Sequence, residues 1–140
     1  GGYLGDRDRN YFEQVRSQAA RLGPAVEFIG SPASQAEKVE FLKTLDVLSV
    51  PTVYREPKGL SILEAIANGV PVVQPAHGAF PELIEAENLD DLVAKWESLL
   101  LNPDDRLRLA TTGQQRVHEM FSPDLMAEKT LRLMDSLHGV

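Results

Sequence analysis

Two glutamates, Glu56 and Glu64, bracket a Lys58-Gly59 step in the run from Val50 to Pro75, VPTVYREPKGLSILEAIANGVPVVQP. A carboxylate accepts two hydroxyl hydrogen bonds at once, which suits the diol of a sugar or a ribose. Gly59 lets the backbone turn and approach a ligand with no side chain between them. The N–H groups at Gly59, Leu60 and Ser61 open a helix, and the positive helix end with its unclaimed donors suits a phosphate or diphosphate. Lys58 and Arg55 could add positive charge there. Two carboxylates beside an anion site make sense when they point past the phosphates. Glu56, in the loop, is then placed for a sugar and Glu64, in the helix, for a ribose. The spacing fits a nucleotide-sugar.

Short elements must carry these residues. Apolar positions Tyr11, Val15, Ala19 and Leu22 form a helical stripe from Asp8 to Leu22, ended by Gly23-Pro24. Val26–Ile29 reads as a strand. Ser34-Gln35-Ala36-Glu37 has the pattern of a capping box ahead of a second helix. Val47–Val50 is the next strand and Pro51–Lys58 a loop. A helix follows from about Gly59 to Asn68, with Gly69 as its C-terminal turn residue, and Pro71–Val73 is a third strand. Pro81–Glu85 reads as one helical turn. Asn88 can cap a helix to Leu101, Asn102-Pro103 starts another to about Met120, and Ser122-Pro123 opens a last one through Leu137. Strands alternating with helices, the strands almost wholly apolar, predict an α/β domain: a Rossmann-like parallel sheet flanked by helices. Residues 1–140 read as one domain, of which 89–140 form a helical tail. In such a sheet ligands bind beyond the carboxyl ends of the strands, where Glu56 falls.

Composition narrows the field. A formal net charge of −7 argues against a nucleic-acid surface, yet leaves room for a small anion held locally. The chain has no cysteine, which removes disulfides and thiolate chemistry and suits a cytoplasmic setting. No apolar run approaches the roughly 20 residues of a membrane span. Gly1-Gly2-Tyr3-Leu4-Gly5 reads like a loop whose strand is absent, so a piece of a longer protein is expected.

Glu56-Pro57-Lys58-Gly59-Leu60, then Glu64-Ala65 and Ala67, then Gly69-Val70-Pro71-Val72-Val73, resembles the Glu-x7-Glu signature of family-four (group 1) retaining glycosyltransferases. Gly78-Ala79-Phe80-Pro81-Glu82 is similar to the Gly-x-x-Pro-Glu element that follows it. The resemblance implies the GT-B fold of two Rossmann-like domains, with this chain as most of the C-terminal, donor-binding one. It implies that Glu56 is the catalytic-site residue on the donor sugar, that backbone N–H groups around Gly59 and Leu60 meet the diphosphate, and that Glu64 holds the ribose; from the residues themselves, Lys58 and Ser61 are expected beside that diphosphate. The donor would be a UDP-, GDP- or ADP-sugar, and the transfer retaining, with no metal and no cofactor. The acceptor stays open. The acceptor-binding domain and a basic Arg…Lys pair lie outside the chain. Any peripheral membrane association would come through that domain. The Gly-rich turn usual after Pro-Glu-Leu-Ile-Glu is missing as well, so weak nucleotide binding and no transfer are expected of this chain alone.

A second reading remains: a non-catalytic nucleotide-binding or interaction domain on the same scaffold. His77 reads as a plain loop histidine near the ligand edge. Asp6-Arg7-Asp8 matches a metal-binding Asp-x-Asp pattern, but is better explained as a helix cap. Trp96 reads as a core or tail-packing residue. His118 and His138 lack metal-ligand spacing.

Overall fold

A computed structural model describes residues 5–52, 54–84 and 89–138. The chain divides into two compact units, Gly1–Lys38 and Val39–Val140. Residues 85–88, with the expected cap at Asn88 and the end of the expected turn at Glu85, lie outside the described part.

In the first unit a 3-10 turn, Asp6–Asp8, leads into helix α1, Arg9–Ala19. Asp8 occupies the N-cap position of α1, but its side chain makes no capping hydrogen bond. The Asp-x-Asp segment therefore starts the helix without capping it. A 3-10 run, Ala20–Ala25, follows, broken at Gly23 with φ 60° and ψ −139°. The rings of Phe12 and Phe28 meet edge to face at 5.8 Å. The expected strand at Val26–Ile29 is extended at Val26 (φ −124°, ψ 125°), yet pairs with nothing among the described residues. An isolated strand has no partner for its N–H and C=O groups, so extension alone makes no sheet. The capping box forms with a variation. Ser34 Oγ accepts the Glu37 N–H at 3.2 Å, and Glu37 Oε2 reaches back to the Ala33 N–H at 2.9 Å rather than to that of Ser34. It opens helix α2, Gln35–Lys43.

The second unit holds the core. Leu48 and Val72 form a parallel β-bridge, with Leu48 N–H on Pro71 O at 2.9 Å and Val73 N–H on Leu48 O at 3.0 Å. The expected strands Val47–Val50 and Pro71–Val73 thus meet, but in one bridge rather than a ladder. The next donor along, the Val50 N–H, bonds to the side-chain oxygen of Gln74 instead. Helix α3, Leu60–Ala67, buries Ile62, Ala65 and Ile66 and turns Ser61 outward. Ile62, Ile66 and Phe80 form one apolar cluster, and Leu42, Ala65 and Val70 another. Burying a side chain the size of Ile62 or Phe80 contributes about 2–3 kcal/mol, so these clusters fix α3 firmly. Helix α4 is the short Phe80–Leu83.

Helices α5, Leu89–Leu101, and α6, Pro103–Met120, close over this core. A Cβ at Gly113 of α6 would stand 2.9 Å from Ile66 Cγ2, so the glycine lets α6 lie close on α3. Arg106 clasps the end of α5, its Nη1 donating to Leu99 O at 3.1 Å and Leu100 O at 2.9 Å, while Nη2 pairs with Asp46 at 3.4 Å. Trp96 keeps 41% of its surface exposed, so of the two expectations, core or tail-packing, the core one fails. Leu92 and Leu99 take the buried positions of α5. Helix α7, Pro123–His138, starts as expected, Ser122 Oγ accepting the Leu125 N–H at 3.2 Å.

Candidate functional site

Past the Leu48–Val72 bridge the two chain segments keep running side by side. Val50 N–H donates to Gln74 Oε1 at 3.1 Å, across 24 positions of sequence. His77 Nε2 donates to the Tyr54 carbonyl at 3.1 Å, across 23 positions. Ala79 N–H donates to the Glu56 carbonyl at 2.9 Å. A carbonyl oxygen only accepts, so Nε2 is the protonated nitrogen of His77 and Nδ1 carries the lone pair when the ring is neutral. The loop bearing Glu56 is therefore held along its length by the segment after Val73.

Glycine makes the last tie possible. Gly78 has φ +62°, and a Cβ there would lie 2.7 Å from Glu56 O and 2.8 Å from Glu56 N. Gly59, the N-cap of α3, has φ 65° and ψ 32°; a Cβ on it would come 2.5 Å from Leu83 Cδ1. Both are left-handed conformations that glycine adopts at little cost. Gln74 is fully buried, and its Nε2, like the Ser49 hydroxyl, has no partner among the described residues.

The sequence-predicted residues gather at one end of α3. Glu56 is half-buried, and its Oε1 accepts the N–H groups of both Lys58 and Gly59 at 3.1 Å. The Gly59 N–H, expected at a diphosphate, is thus taken by the chain's own carboxylate. The N–H groups of Leu60 and Ser61 have no acceptor among the described residues. Lys58 and Arg55 are exposed, with no ion pair among those residues. Glu64 lies one turn along α3 from Ser61 and is half-buried, its main-chain carbonyl accepting Asn68 Nδ2 at 2.8 Å. Gln74 and the tie from His77 were missed by the sequence reading. A glutamine standing in for a backbone acceptor leaves no local signal, whereas the Gly-x-x-Pro-Glu element did mark Gly78. No cluster of three His, Asp or Glu side chains able to hold a metal ion occurs among the described residues. Nor is any helix there long and apolar enough to cross a membrane.

The family model of glycosyl transferases group 1 matches residues 3–116. The chain belongs to the group 1 glycosyltransferase family. This group 1 chain is 30% identical over 115 residues to the MMP alpha-(1->4)-mannosyltransferase of Mycolicibacterium hassiacum, an alignment covering 75% of the chain and 28% of that enzyme. It resembles the C-terminal domain of a group 1 glycosyl transferase from Francisella tularensis with a TM-score of 0.74 at 23% identity, over 85% of this chain and 66% of that one. It also resembles Anabaena HepE, crystallised in complex with UDP, with a TM-score of 0.83 at 20% identity, over 94% of this chain and 38% of that one. These likenesses show the fold, that of a GT-B glycosyltransferase domain. The chain spans about a third of the length of the curated relatives it matches.

Proposed function

We propose that this group 1 glycosyltransferase chain is the C-terminal, donor-binding domain of a GT-B enzyme, which takes a nucleoside-diphosphate sugar and transfers the sugar with retention to an acceptor bound by another domain. The observation that carries this reading is the start of α3, where the Leu60 and Ser61 N–H groups have no acceptor among the described residues and the Glu56 carboxylate caps Gly59, with Lys58 and Arg55 exposed in the same loop. Leu60, Ser61 and the Lys58 ammonium meet the diphosphate at the turn that Gly59 makes, with Glu56 on the sugar hydroxyls and Glu64 on the ribose. The leaving diphosphate gains charge as the glycosidic bond breaks. Preorganised N–H groups, the helix end and Lys58 stabilise that charge, usually the largest catalytic term, and no metal is needed. A parallel sheet carried on from the Leu48–Val72 pair would support the loops from below. UDP in the Anabaena structure supports a UDP-sugar and mannosyl transfer by the Mycolicibacterium relative supports a mannose nucleotide, with GDP- and ADP-sugars the further options. The reading places the reaction in the cytoplasm, with transfer absent in this chain alone.

Calorimetric titration of UDP, GDP and ADP separates this reading from a non-catalytic interaction domain. One of them should release heat with a dissociation constant in the micromolar to low millimolar range, and silence from all three counts against donor binding. In the full-length enzyme Glu64→Ala should weaken the donor about tenfold, the loss of a charged hydrogen bond. Unchanged donor affinity would remove the ribose role.

A further inference from the structure

Glu56 is placed by neighbours that none of the family comparisons assigns. Its loop has no ladder of its own; three bonds from the Gln74–Ala79 segment hold it, at Val50, Tyr54 and Glu56. The first is made by the fully buried Gln74 and the last is main chain to main chain. Only the middle bond comes from a partly exposed side chain, that of His77. Its ring is held in turn against Phe80, centroid to centroid 5.9 Å, and Phe80 is buried in the cluster with Ile62 and Ile66. The His77 bond thus links the loop to the rigid α3–α4 core two residues before Glu56.

We propose that His77 is a positioning residue for the donor sugar, acting through Tyr54 O on the loop that presents the Glu56 carboxylate. This rests on the reading that Glu56 contacts the sugar. Without the bond, Tyr54 to Pro57 keeps only the Glu56–Ala79 tie to the neighbouring segment, and the carboxylate, still hydrogen-bonded through Oε1 to the Lys58 and Gly59 N–H groups, loses the fixed backbone that aims its Oε2 at the sugar. The diphosphate donors at Leu60 and Ser61 belong to α3 itself and stay where they are. His77 therefore governs the affinity gained from the sugar and not that gained from the nucleotide.

The test compares UDP with UDP-glucose, and GDP with GDP-mannose, by calorimetry on this chain and on His77→Phe, His77→Gln and Glu56→Gln. His77→Phe keeps a ring beside Phe80 but has no donor. It should lose about fivefold in the sugar nucleotide, the scale of one hydrogen bond, with the matched diphosphate within twofold of wild type. His77→Gln, whose amide N–H reaches as far as Nε2, should recover most of that loss. Equal weakening of diphosphate and sugar nucleotide in His77→Phe would make the role merely structural and overturn the inference. A loss in Glu56→Gln with none in His77→Phe overturns the inference and leaves the Glu56 reading standing. No loss in Glu56→Gln overturns the Glu56 reading and the inference with it. Nitrogen-15 NMR of the imidazole adds a check that needs no ligand: it should show the proton on Nε2, and a proton on Nδ1 with Nε2 bare would also overturn the inference.

Discussion

Helix α3 begins and ends on a left-handed glycine, Gly59 at φ 65° and Gly69 at φ 74°, but the two ends are finished in opposite ways. At the C-terminal end every nearby acceptor is claimed. Gly69 N–H bonds to Ile66 O at 2.9 Å and Val70 N–H to Ala65 O at 3.0 Å, the paired pattern of a Schellman turn. Asn68 Nδ2 takes Glu64 O and Gln114 Nε2 takes Ala67 O, both at 2.8 Å. At the N-terminal end the Gly59 N–H has only the Glu56 side chain, and those of Leu60 and Ser61 have nothing among the described residues. A helix leaves orphan groups at both ends, so the difference is one of use. The closed end is architecture. The open end keeps its donors available, and stability for it is supplied from outside, by the loop around Gly78.

The largest expected break in that contrast is Gly78→Ala. The new methyl meets main-chain atoms of Glu56 that cannot step aside, and a left-handed backbone adds strain. Unfolding free energy measured in urea should fall by about 3 kcal/mol. A loss under 1 kcal/mol would mean the loops part easily. Gly59→Ala carries similar backbone strain but meets only the flexible tip of Leu83, so about 1–2 kcal/mol is expected. Nucleotide affinity should fall with it. Gly69→Ala, with nothing closer than Gln114 Nε2 at 4.0 Å, should cost about 1 kcal/mol and leave nucleotide affinity untouched. Equal effects of the Gly59 and Gly69 changes on nucleotide binding would erase the distinction between the ends. The smallest effect is Gln114→Ala. It removes one cap on a carbonyl and should cost about 0.5–1 kcal/mol by thermal or chemical melting.

The closed end was legible in the sequence because its causes are local. Gly69 after an apolar helix, Ser122 before Pro123, and Ser34 three residues ahead of Glu37 each announce a backbone geometry within a few positions, and each forms. The residues proposed to meet the donor at the open end stood out too, as a string of residue types. What the sequence hid was the company they keep. Val47–Val50 and Pro71–Val73 read as continuous strands because they are apolar and β-branched, and composition does not reveal that Gln74 will intercept the Val50 N–H. The pairing of His77 with Tyr54 spans two loops, and no periodicity encodes a contact between segments that lack one. The core alternative for Trp96 failed in the other direction, since a large apolar side chain alone does not say which neighbours will cover it.

The slip from a 24-residue to a 23-residue separation between the two paired segments has one more consequence. Like the graduations of a vernier, the two segments agree only because each has its own fixed number of residues between Val50 and Glu56 and between Gln74 and Ala79. Many side chains along them face outward and can be exchanged without disturbing the alignment. Adding or removing a single residue in either would carry the Glu56 carboxylate about 3 Å along the chain, the rise of one extended residue, and out of step with the start of α3. Apart from Glu56, Gln74, His77 and Gly78, variation in this region is thus free in spelling and strict in length.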